Sequence, residues 1–318
     1  VFVDYKKDMS QFEAQPGIDV LYKKNETNDI FTLIYVFNTG TENDPALNLA
    51  FNYLSYLGTD KMTAEEIASE MYDIACSFYM NAGANQSSIQ ITGLSENMGK
   101  AMEIVEGLIA GAKPDEAILE NCKADMLKSR ADAKLNQSRC FGALQRYLFY
   151  GGDFIRRTTL TDPALQALTS EQLLAKIGGL MGKQHEVLYY GPQKETEIKS
   201  ALAEHHKVAA DLQPLEKKFS TLLPTDANKV VLAQYDAKQL YYLQFSNRGE
   251  KFDVAADPEI TLYNEYFGGG MNTIVFQEMR EARGLAYTAW ATLATPSNAN
   301  GDYSYYAFIA TQNDKMQK

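Results

Sequence analysis

The stretch "FQEMREARGLAYTAW" (residues 276–290) joins a charged helical segment to an alternating strand through one glycine. In the helical part, the apolar residues Met279 and Ala282 face one way and the charged residues point elsewhere. Gly284 followed by Leu285 is typical of a Schellman stop, in which a glycine adopts a left-handed conformation and the next apolar residue packs back on the helix. The stretch therefore predicts a helix end followed at once by a strand.

Two arginines lie in the last turn of this predicted helix, and a tyrosine follows the stop. Cations near a helix C-terminus interact favourably with the macrodipole by about 0.3–1 kcal/mol. In a purely structural interpretation, Arg280 and Arg283 are dipole partners and Tyr287 is an ordinary strand residue.

The surroundings of the stretch repeat an earlier part of the chain. Two sets of identical residues recur at spacings of 208 and 210 positions, and the order of predicted strands and helices recurs with them. The matched residues are Glu70, Met71 and Tyr79 with Glu278, Met279 and Tyr287, and Tyr56 and Gly58 with Tyr266 and Gly268. We therefore predict an α+β chain of two duplicated αβ domains, each a mainly antiparallel sheet backed by helices.

The repeat also predicts the domain boundaries. Residues 1–209 form the first copy, and residues 210–229, with two prolines and weak periodicity, form a linker. Residues 230–318 form only the first part of the second copy, because residue 318 corresponds to about residue 110 of the first. Since the chain starts at Val1 with neither an initiator Met nor a signal-peptide pattern, we expect it to be a piece of a longer polypeptide.

Composition excludes several classes of protein. Hydrophobic residues make up 45% and charged residues 22%, which indicates a folded chain with a sizeable core. The formal net charge of −11 argues against a nucleic-acid partner and against adhesion to an anionic membrane. No apolar run approaches the roughly 20 residues that span a bilayer. Three scattered cysteines predict neither a disulfide framework nor a zinc knuckle, and they specify no compartment.

The longer stretch "FGGGMNTIVFQEMREARGLAYTAWATL" (267–293) closely resembles a motif in the C-terminal domain of the pitrilysin/insulinase family of zinc metallopeptidases. That motif is a Gly-rich turn followed by a helix that ends in Arg-Gly-Leu-Ala-Tyr. The segments "ALTSEQLLAKIGG" (167–179) and "VLYYGP" (187–192) and the position of the linker extend the resemblance to one half of such an enzyme.

The resemblance implies a split active site. In the family, an N-terminal domain carries His-x-x-Glu-His on a helix, where the histidines bind zinc and the glutamate activates water. A later domain supplies an arginine and a tyrosine to the bound peptide, and these catalytic roles fall here on Arg280 and Tyr287. The arginine offers a planar fork of donors to carbonyl or carboxylate oxygens, and the tyrosine hydroxyl can donate to an oxyanion. Gly268, Gly269 and Gly270 are the implied substrate-binding loop.

This chain departs from the family pattern at the zinc position. The helix of the first copy that should carry the motif reads Leu49-Ala50-Phe51-Asn52-Tyr53. Of the three histidines, His205 and His206 are adjacent and diverge by about 100° on a helix, and His185 is isolated in the sequence. We therefore predict no metal site and no activity for this chain alone, with zinc supplied by a missing N-terminal half or a partner subunit that carries His-x-x-Glu-His.

Three functions are compatible with these features. In the first, the chain is the C-terminal, non-zinc half of a zinc metalloendopeptidase that degrades or processes peptides or unfolded polypeptides in a closed chamber. In the alternative, it is a non-catalytic peptide-binding or structural subunit of a processing-peptidase-like complex. The third is an unrelated α+β binding module with chance similarity to the motif. A His-x-x-Glu-His motif upstream of Val1 would select the first.

Overall fold

The computed structural model describes residues 5–215 and 220–315. Its chain forms two compact units. Unit 1 contains Val1–Ser129 and Arg157–Phe219, and unit 2 contains Arg130–Arg156 and Ser220–Lys318. The architecture is α+β, as predicted.

The sheet of unit 1 has six strands in the order β1-β2-β6-β3-β5-β4. The parallel pair is β2 with β6, and the other four neighbouring pairs are antiparallel. The prediction of a mainly antiparallel sheet is therefore confirmed. The strands are β1 (Ser10–Gln15), β2 (Ile18–Lys24), β3 (Ile30–Phe37), β4 (Cys76–Ala82), β5 (Ser87–Leu94) and β6 (His185–Gly191).

Among the described residues, nine α-helices precede the sheet of unit 2. Two of them begin with capping boxes at Thr63 and Thr169, where each threonine hydroxyl accepts the N–H three residues on, at 3.2 and 3.3 Å. The helices are α1 (Tyr5–Asp8), α2 (Leu47–Leu54), α3 (Ala64–Asp73), α4 (Met98–Gly111), α5 (Glu116–Lys134), α6 (Gln137–Thr158), α7 (Asp162–Ala167), α8 (Ser170–Met181) and α9 (Glu195–His205).

The core of unit 1 lies between its sheet and the helices that cover it. Alternate residues of β3, among them Phe31, Leu33 and Tyr35, are buried beneath apolar faces of α2 and α4. Burying one large apolar side chain stabilises the fold by about 1.5–3 kcal/mol relative to leaving it exposed. A continuous cluster of this kind holds the strands of unit 1 in one register.

Unit 2 has a three-stranded antiparallel sheet in the order β7-β9-β8. From α6, Phe141 packs at 5.5 Å from the Tyr241 ring and Phe149 at 4.6 Å from the Phe245 ring, so this part of α6 belongs to unit 2. The elements are β7 (Gln239–Ser246), α10 (Asp257–Phe267), α11 (Ile274–Phe276), β8 (Ala286–Ala294) and β9 (Ser304–Gln312). A π-helical turn, Gln277–Ala282, continues α11.

The two units share a pattern that supports the duplication. The order β3-β5-β4 in unit 1 matches β7-β9-β8 in unit 2, and in both units two helices separate the first strand from the other two. In each unit, the later of these two helices is followed by a left-handed residue, Ala75 with φ 50° and Gly284 with φ 56°. The prediction of two copies of one αβ layout is confirmed in element order and strand order.

The β-branched and apolar sequence of residues 229–235 predicts a first strand for the second copy, and this prediction is wrong. Residues 229–235, "KVVLAQY", are irregular, and Val230 and Leu232 are more than four-fifths exposed. In unit 1 the strand that precedes β3 is β2, and β2 pairs with both β1 and β6. Within the described part of unit 2, β7 pairs with β9 alone, so residues 229–235 have no strand beside them to complete a ladder.

The predicted domain limits, 1–209 and 230–318 with a linker at 210–229, stay a prediction. Residues 216–219 of that linker lie outside the described residues. Within the described ranges, no helix is long and apolar enough to cross a bilayer.

Candidate functional site

The glycine stop predicted at Gly284 is confirmed. Its N–H donates to the Arg280 carbonyl at 3.1 Å, and the Leu285 N–H donates to the Met279 carbonyl at 2.9 Å. The second bond spans one residue more than in a Schellman motif, because the preceding turn is π-helical. A Cβ at position 284 would meet open space, so glycine is favoured here by the positive φ alone.

Arg280 lies between two aromatic rings. Its guanidinium carbon is 4.8 Å from the centre of the Phe276 ring and 4.5 Å from the centre of the Tyr287 ring. A cation over an aromatic face is stabilised by about 0.5–1 kcal/mol at exposed sites. The side chain remains 35% exposed, and its Nε lies 3.4 Å from the Glu281 carboxylate. These contacts restrict the orientation of the Arg280 side chain at the surface.

Tyr287 occupies a β-bulge at the start of β8. Ala286 pairs with Thr311 and Thr288 pairs with Ala310, so Tyr287 is the extra residue between two successive pairs. Its side chain is 74% exposed. A bulge redirects the side chain of its extra residue, and here it leaves the phenol at the surface beside Arg280.

The second arginine of the last turn has a different partner. Arg283 places its Nε 3.5 Å from the Glu278 carboxylate, and both side chains are more than half exposed. Helical periodicity could not separate the two arginines, since both lie in the same helical turn, and only the family resemblance singled out Arg280. The structure brings Arg280 and Tyr287 together and pairs Arg283 with a carboxylate.

The Gly-rich turn has a structural explanation at its first glycine. A Cβ at Gly268 would lie 2.1 Å from the Ala291 carbonyl oxygen, so only glycine allows this close approach to β8. Gly269 donates its N–H to the Asn264 carbonyl at 2.7 Å. Gly270 accepts the Thr273 hydroxyl at 2.7 Å and is open to solvent. The turn thus places two exposed glycines next to the strand that carries Tyr287.

The residues at the predicted zinc position do not fit a metal ion. Leu49, Ala50, Phe51 and Tyr53 are buried in the apolar core of unit 1. The Tyr53 hydroxyl accepts the Asp115 N–H at 2.8 Å and lies 2.9 Å from the Ser170 hydroxyl. In the part of the chain that the structure describes, no three His, Cys, Asp or Glu side chains are grouped to hold a metal.

A buried polar cluster in unit 1 escaped sequence reasoning. His185, isolated in the sequence, has its Nε2 2.8 Å from the Nε2 of His206. The Nδ1 of His206 is 2.5 Å from a Glu106 carboxylate oxygen, and all three residues are buried. Burial lowers the pKa of His185 to about 4. The residues come from three elements far apart in sequence, and no local pattern brings them together.

Curated zinc proteases are similar to this chain, although no family model matches it. An uncharacterized zinc protease of Streptomyces coelicolor is 22% identical over 266 residues, which cover 78% of this chain and 56% of that protein. An uncharacterized zinc protease of Rickettsia bellii is 22% identical over 329 residues, which cover 98% of this chain and 76% of that protein. The chain thus spans about half to three quarters of the length of these relatives.

Solved structures share the fold. A peptidase M16 inactive domain from Pseudomonas fluorescens superposes with a TM-score of 0.74 at 16% identity, over 96% of this chain and 74% of that one. The periplasmic protease PqqL of Escherichia coli superposes with a TM-score of 0.77 at 13% identity, over 98% of this chain and 35% of that one. A mutant of the ferredoxin protease FusC, in complex with Arabidopsis ferredoxin, superposes with a TM-score of 0.70 at 12% identity. The match covers 100% of this chain and 35% of that one.

These similarities agree with the motif at 267–293 and with the duplicated αβ layout. The predicted resemblance to the pitrilysin/insulinase zinc metallopeptidases is confirmed, and the chain has the fold of peptidase M16-like domains.

Proposed function

We propose that this chain is the zinc-free C-terminal half of a zinc metalloendopeptidase, in which Arg280 and Tyr287 contact the bound peptide and stabilise the transition state. The observation that carries the proposal is the stacked Arg280–Tyr287 pair, 4.5 Å apart at an exposed bulge. A cation and a hydroxyl donor on one surface can together stabilise a developing oxyanion.

The contacts of Arg280 with aromatic rings leave its guanidinium able to form hydrogen bonds in its own plane. The Phe276 and Tyr287 rings lie over the guanidinium and its Nε is near Glu281, which leaves the terminal Nη donors for carbonyl or carboxylate oxygens of a peptide. Because the rings restrict the side chain before substrate arrives, less conformational entropy is lost on binding. Phe276 is in this view a positioning residue, since it acts through Arg280.

Tyr287 would act through its hydroxyl. The phenol O–H is a hydrogen-bond donor, and its exposure at the bulge lets it reach a substrate oxygen. The exposed Gly269 and Gly270 lie near β8 in the same unit and would admit the backbone of an extended peptide closely. Such peptides commonly bind by adding a strand to a sheet edge.

The zinc ion would come from outside residues 1–318. The curated relatives are named zinc proteases, while Leu49, Ala50, Phe51 and Tyr53 of this chain are core residues and the exposed Asn52 is neither a histidine nor a carboxylate. In the proposed enzyme the metal-bearing segment and this chain enclose the substrate in a chamber. A protein substrate is compatible with this scheme, since the related FusC structure holds ferredoxin.

The apolar zinc position also favours a second candidate, a non-catalytic peptide-binding or structural subunit of a processing-peptidase-like complex. The two candidates differ in whether Arg280 and Tyr287 affect turnover or only binding. A zinc-bearing segment in the same polypeptide favours the first, and a separate active subunit that retains full turnover with Arg280→Ala favours the second.

The experiment measures hydrolysis of a fluorogenic unfolded peptide by the native polypeptide or complex that contains this chain. Arg280→Ala and Tyr287→Phe should each lower kcat by about 10–1,000-fold with the zinc content unchanged, in line with the loss of one oxyanion donor. Arg283→Ala and Tyr79→Phe are matched controls, the second at the exposed tyrosine of β4. Unchanged turnover in both Arg280→Ala and Tyr287→Phe refutes the assigned roles.

A further inference from the structure

His185, His206 and Glu106 form a buried chain of hydrogen bonds that the proposed peptidase chemistry does not use. His185 begins β6, His206 follows the last residue of α9, and Glu106 lies in α4. The two imidazoles are at most 3% exposed. The Phe37 ring centre is 4.7 Å from that of His185, and the Tyr35 ring centre is 4.2 Å from that of His206. The surroundings are therefore largely apolar.

The distances determine which nitrogen carries each proton. The Nδ1 of His185 is 2.8 Å from the Lys183 carbonyl, which can only accept, so this Nδ1 carries a hydrogen. A neutral His185 must then accept at Nε2, and His206 must donate to it from its own Nε2 at 2.8 Å. Between the Nδ1 of His206 and the Glu106 carboxylate, 2.5 Å apart, lies one further proton. Every position in the chain of hydrogen bonds is then filled.

This arrangement has no place for another proton. A hydrogen on the Nε2 of His185 would point at the hydrogen on the Nε2 of His206 across 2.8 Å. A hydrogen on the Glu106 carboxylate would leave a buried His206 cation without its counter-ion, which is costly in an apolar environment. Acidification must therefore break the contact between the two histidines.

The contact holds one end of a segment that follows α9. His206 is the first residue of this segment, and Gln213 fixes its other end: the Gln213 N–H donates to Gly182 at 3.0 Å, and the Gln184 N–H donates to Gln213 at 2.8 Å. Both attachments are made to the turn at 182–185. Leu212 is buried between them. The segment 206–215 is thus attached to unit 1 at two points that share one turn.

We propose that the His185–His206 contact is an acid-sensitive latch that holds residues 206–215 on unit 1 at neutral pH and releases them when His185 gains a proton. The driving force is the replacement of a buried donor–acceptor pair by two facing donors. Released residues would expose Leu212 and free the end of α9, so the latch makes the stability of this part of unit 1 depend on pH.

The other titratable groups around the latch do not take over the role of His185. Burial and then the charge of Glu106 raise the pKa of Tyr35 well above 10, so Tyr35 stays neutral. His205 contacts other carboxylates, with its Nδ1 3.3 Å from Glu103 and its Nε2 3.9 Å from Glu204. The charged or titratable residues that α4, α9, β3 and the turn before β6 present near the latch are Glu103, Glu106, Glu204, His205, Tyr35 and Lys183.

The latch is tested first on the unmodified 318-residue chain by nitrogen-detected NMR of its histidines. At pH 7 we expect His185 as the neutral Nδ1–H form and a donating Nε2–H on His206, with His185 still neutral at pH 5. A His185 that carries a proton on Nε2 at pH 7, or that titrates near pH 6.5, overturns the proposal.

Hydrogen exchange then measures the release itself. After correction for intrinsic rates, opening of residues 206–215 should become about tenfold more frequent per pH unit as pH falls from 6.5 towards 4. His185→Gln keeps a donor and an acceptor but cannot be protonated, so it should remove this dependence. His205→Gln is the matched control and should behave like the unmodified chain. An equal pH response in His185→Gln, or exchange of residues 206–215 only through global unfolding of unit 1, contradicts the latch.

Discussion

Across the glycine stop, the guanidinium carbon of Arg280 lies 4.5 Å from the centre of the Tyr287 ring. The residues are seven positions apart, and three local features bring them together: a π-helical turn, a left-handed Gly284 and a bulge at the start of β8. Each feature is costly or rare when taken alone. π-helical turns and bulges are often found at functional sites, which supports the proposed role of the pair.

Replacing Arg280 by lysine should reduce turnover of the native enzyme nearly as much as Arg280→Ala. A lysine keeps the charge but loses the planar fork of donors and the stacking between the Phe276 and Tyr287 rings. We expect a fall in kcat of about tenfold or more. The measurement is peptide hydrolysis at saturating substrate, with zinc content as a control, and full activity of Arg280→Lys would show that charge alone suffices.

Gly284 and Ala75 both have a left-handed conformation after a helix, so replacing the glycine by alanine and the alanine by glycine should change stability in opposite directions. Gly284→Ala should destabilise unit 2 by about 1 kcal/mol, because its φ of 56° is unfavourable for a residue with a Cβ. Ala75→Gly, at a φ of 50°, should leave unit 1 unchanged or stabilise it by up to about 1 kcal/mol. Urea unfolding of each variant measures the change, and a stabilising Gly284→Ala would contradict the left-handed assignment.

Replacing single glycines of the Gly-rich turn by alanine should destabilise unit 2 by different amounts at different positions. Gly268→Ala should destabilise unit 2 by about 1–3 kcal/mol, since its Cβ would lie 2.1 Å from the Ala291 carbonyl oxygen and the backbone would have to move. Gly270→Ala meets no atom within 4 Å and should change stability by less than about 0.5 kcal/mol. Thermal unfolding distinguishes the two, and equal effects would argue against close packing at Gly268.

The buried histidine predicts loss of stability in acid. The pKa of His185 is about 4 in the folded chain and 6.5 in a model peptide, so the unfolded state binds more protons between these values. Stability is complete above pH 6.5 and falls as pH drops towards 4, by about 3 kcal/mol in total. The check is the urea midpoint of unit 1 as a function of pH. A midpoint that rises on acidification would reverse the sign of this linkage.

Removal of metal should not affect this chain by itself. The helix at the predicted zinc position presents core residues, and the described residues contain no grouping of three metal ligands. We expect EDTA to leave the thermal midpoint unchanged and elemental analysis to find no stoichiometric zinc. A chelator-dependent fall in the midpoint would show a structural metal site.

The local features of the candidate site were open to prediction because they depend on neighbouring residues. The stop at Gly284 needs only a glycine after a helical pattern, and the capping boxes need only a threonine followed three residues later by Glu or Gln. The duplication was visible in residue spacing. The strand predicted at 229–235 failed, because the sequence shows strand propensity but not the presence of a neighbouring strand.

By itself the sequence determined the α+β class, the repeated order of helices and strands, the glycine stop and the loss of the zinc ligands. These follow from side-chain periodicity and turn chemistry, which act over a few residues. Only the tertiary structure decided which arginine stacks on Tyr287, and that His185 meets His206 and Glu106 inside unit 1. Such contacts depend on how separate elements pack, and packing is set by the whole core rather than by any local pattern of residues.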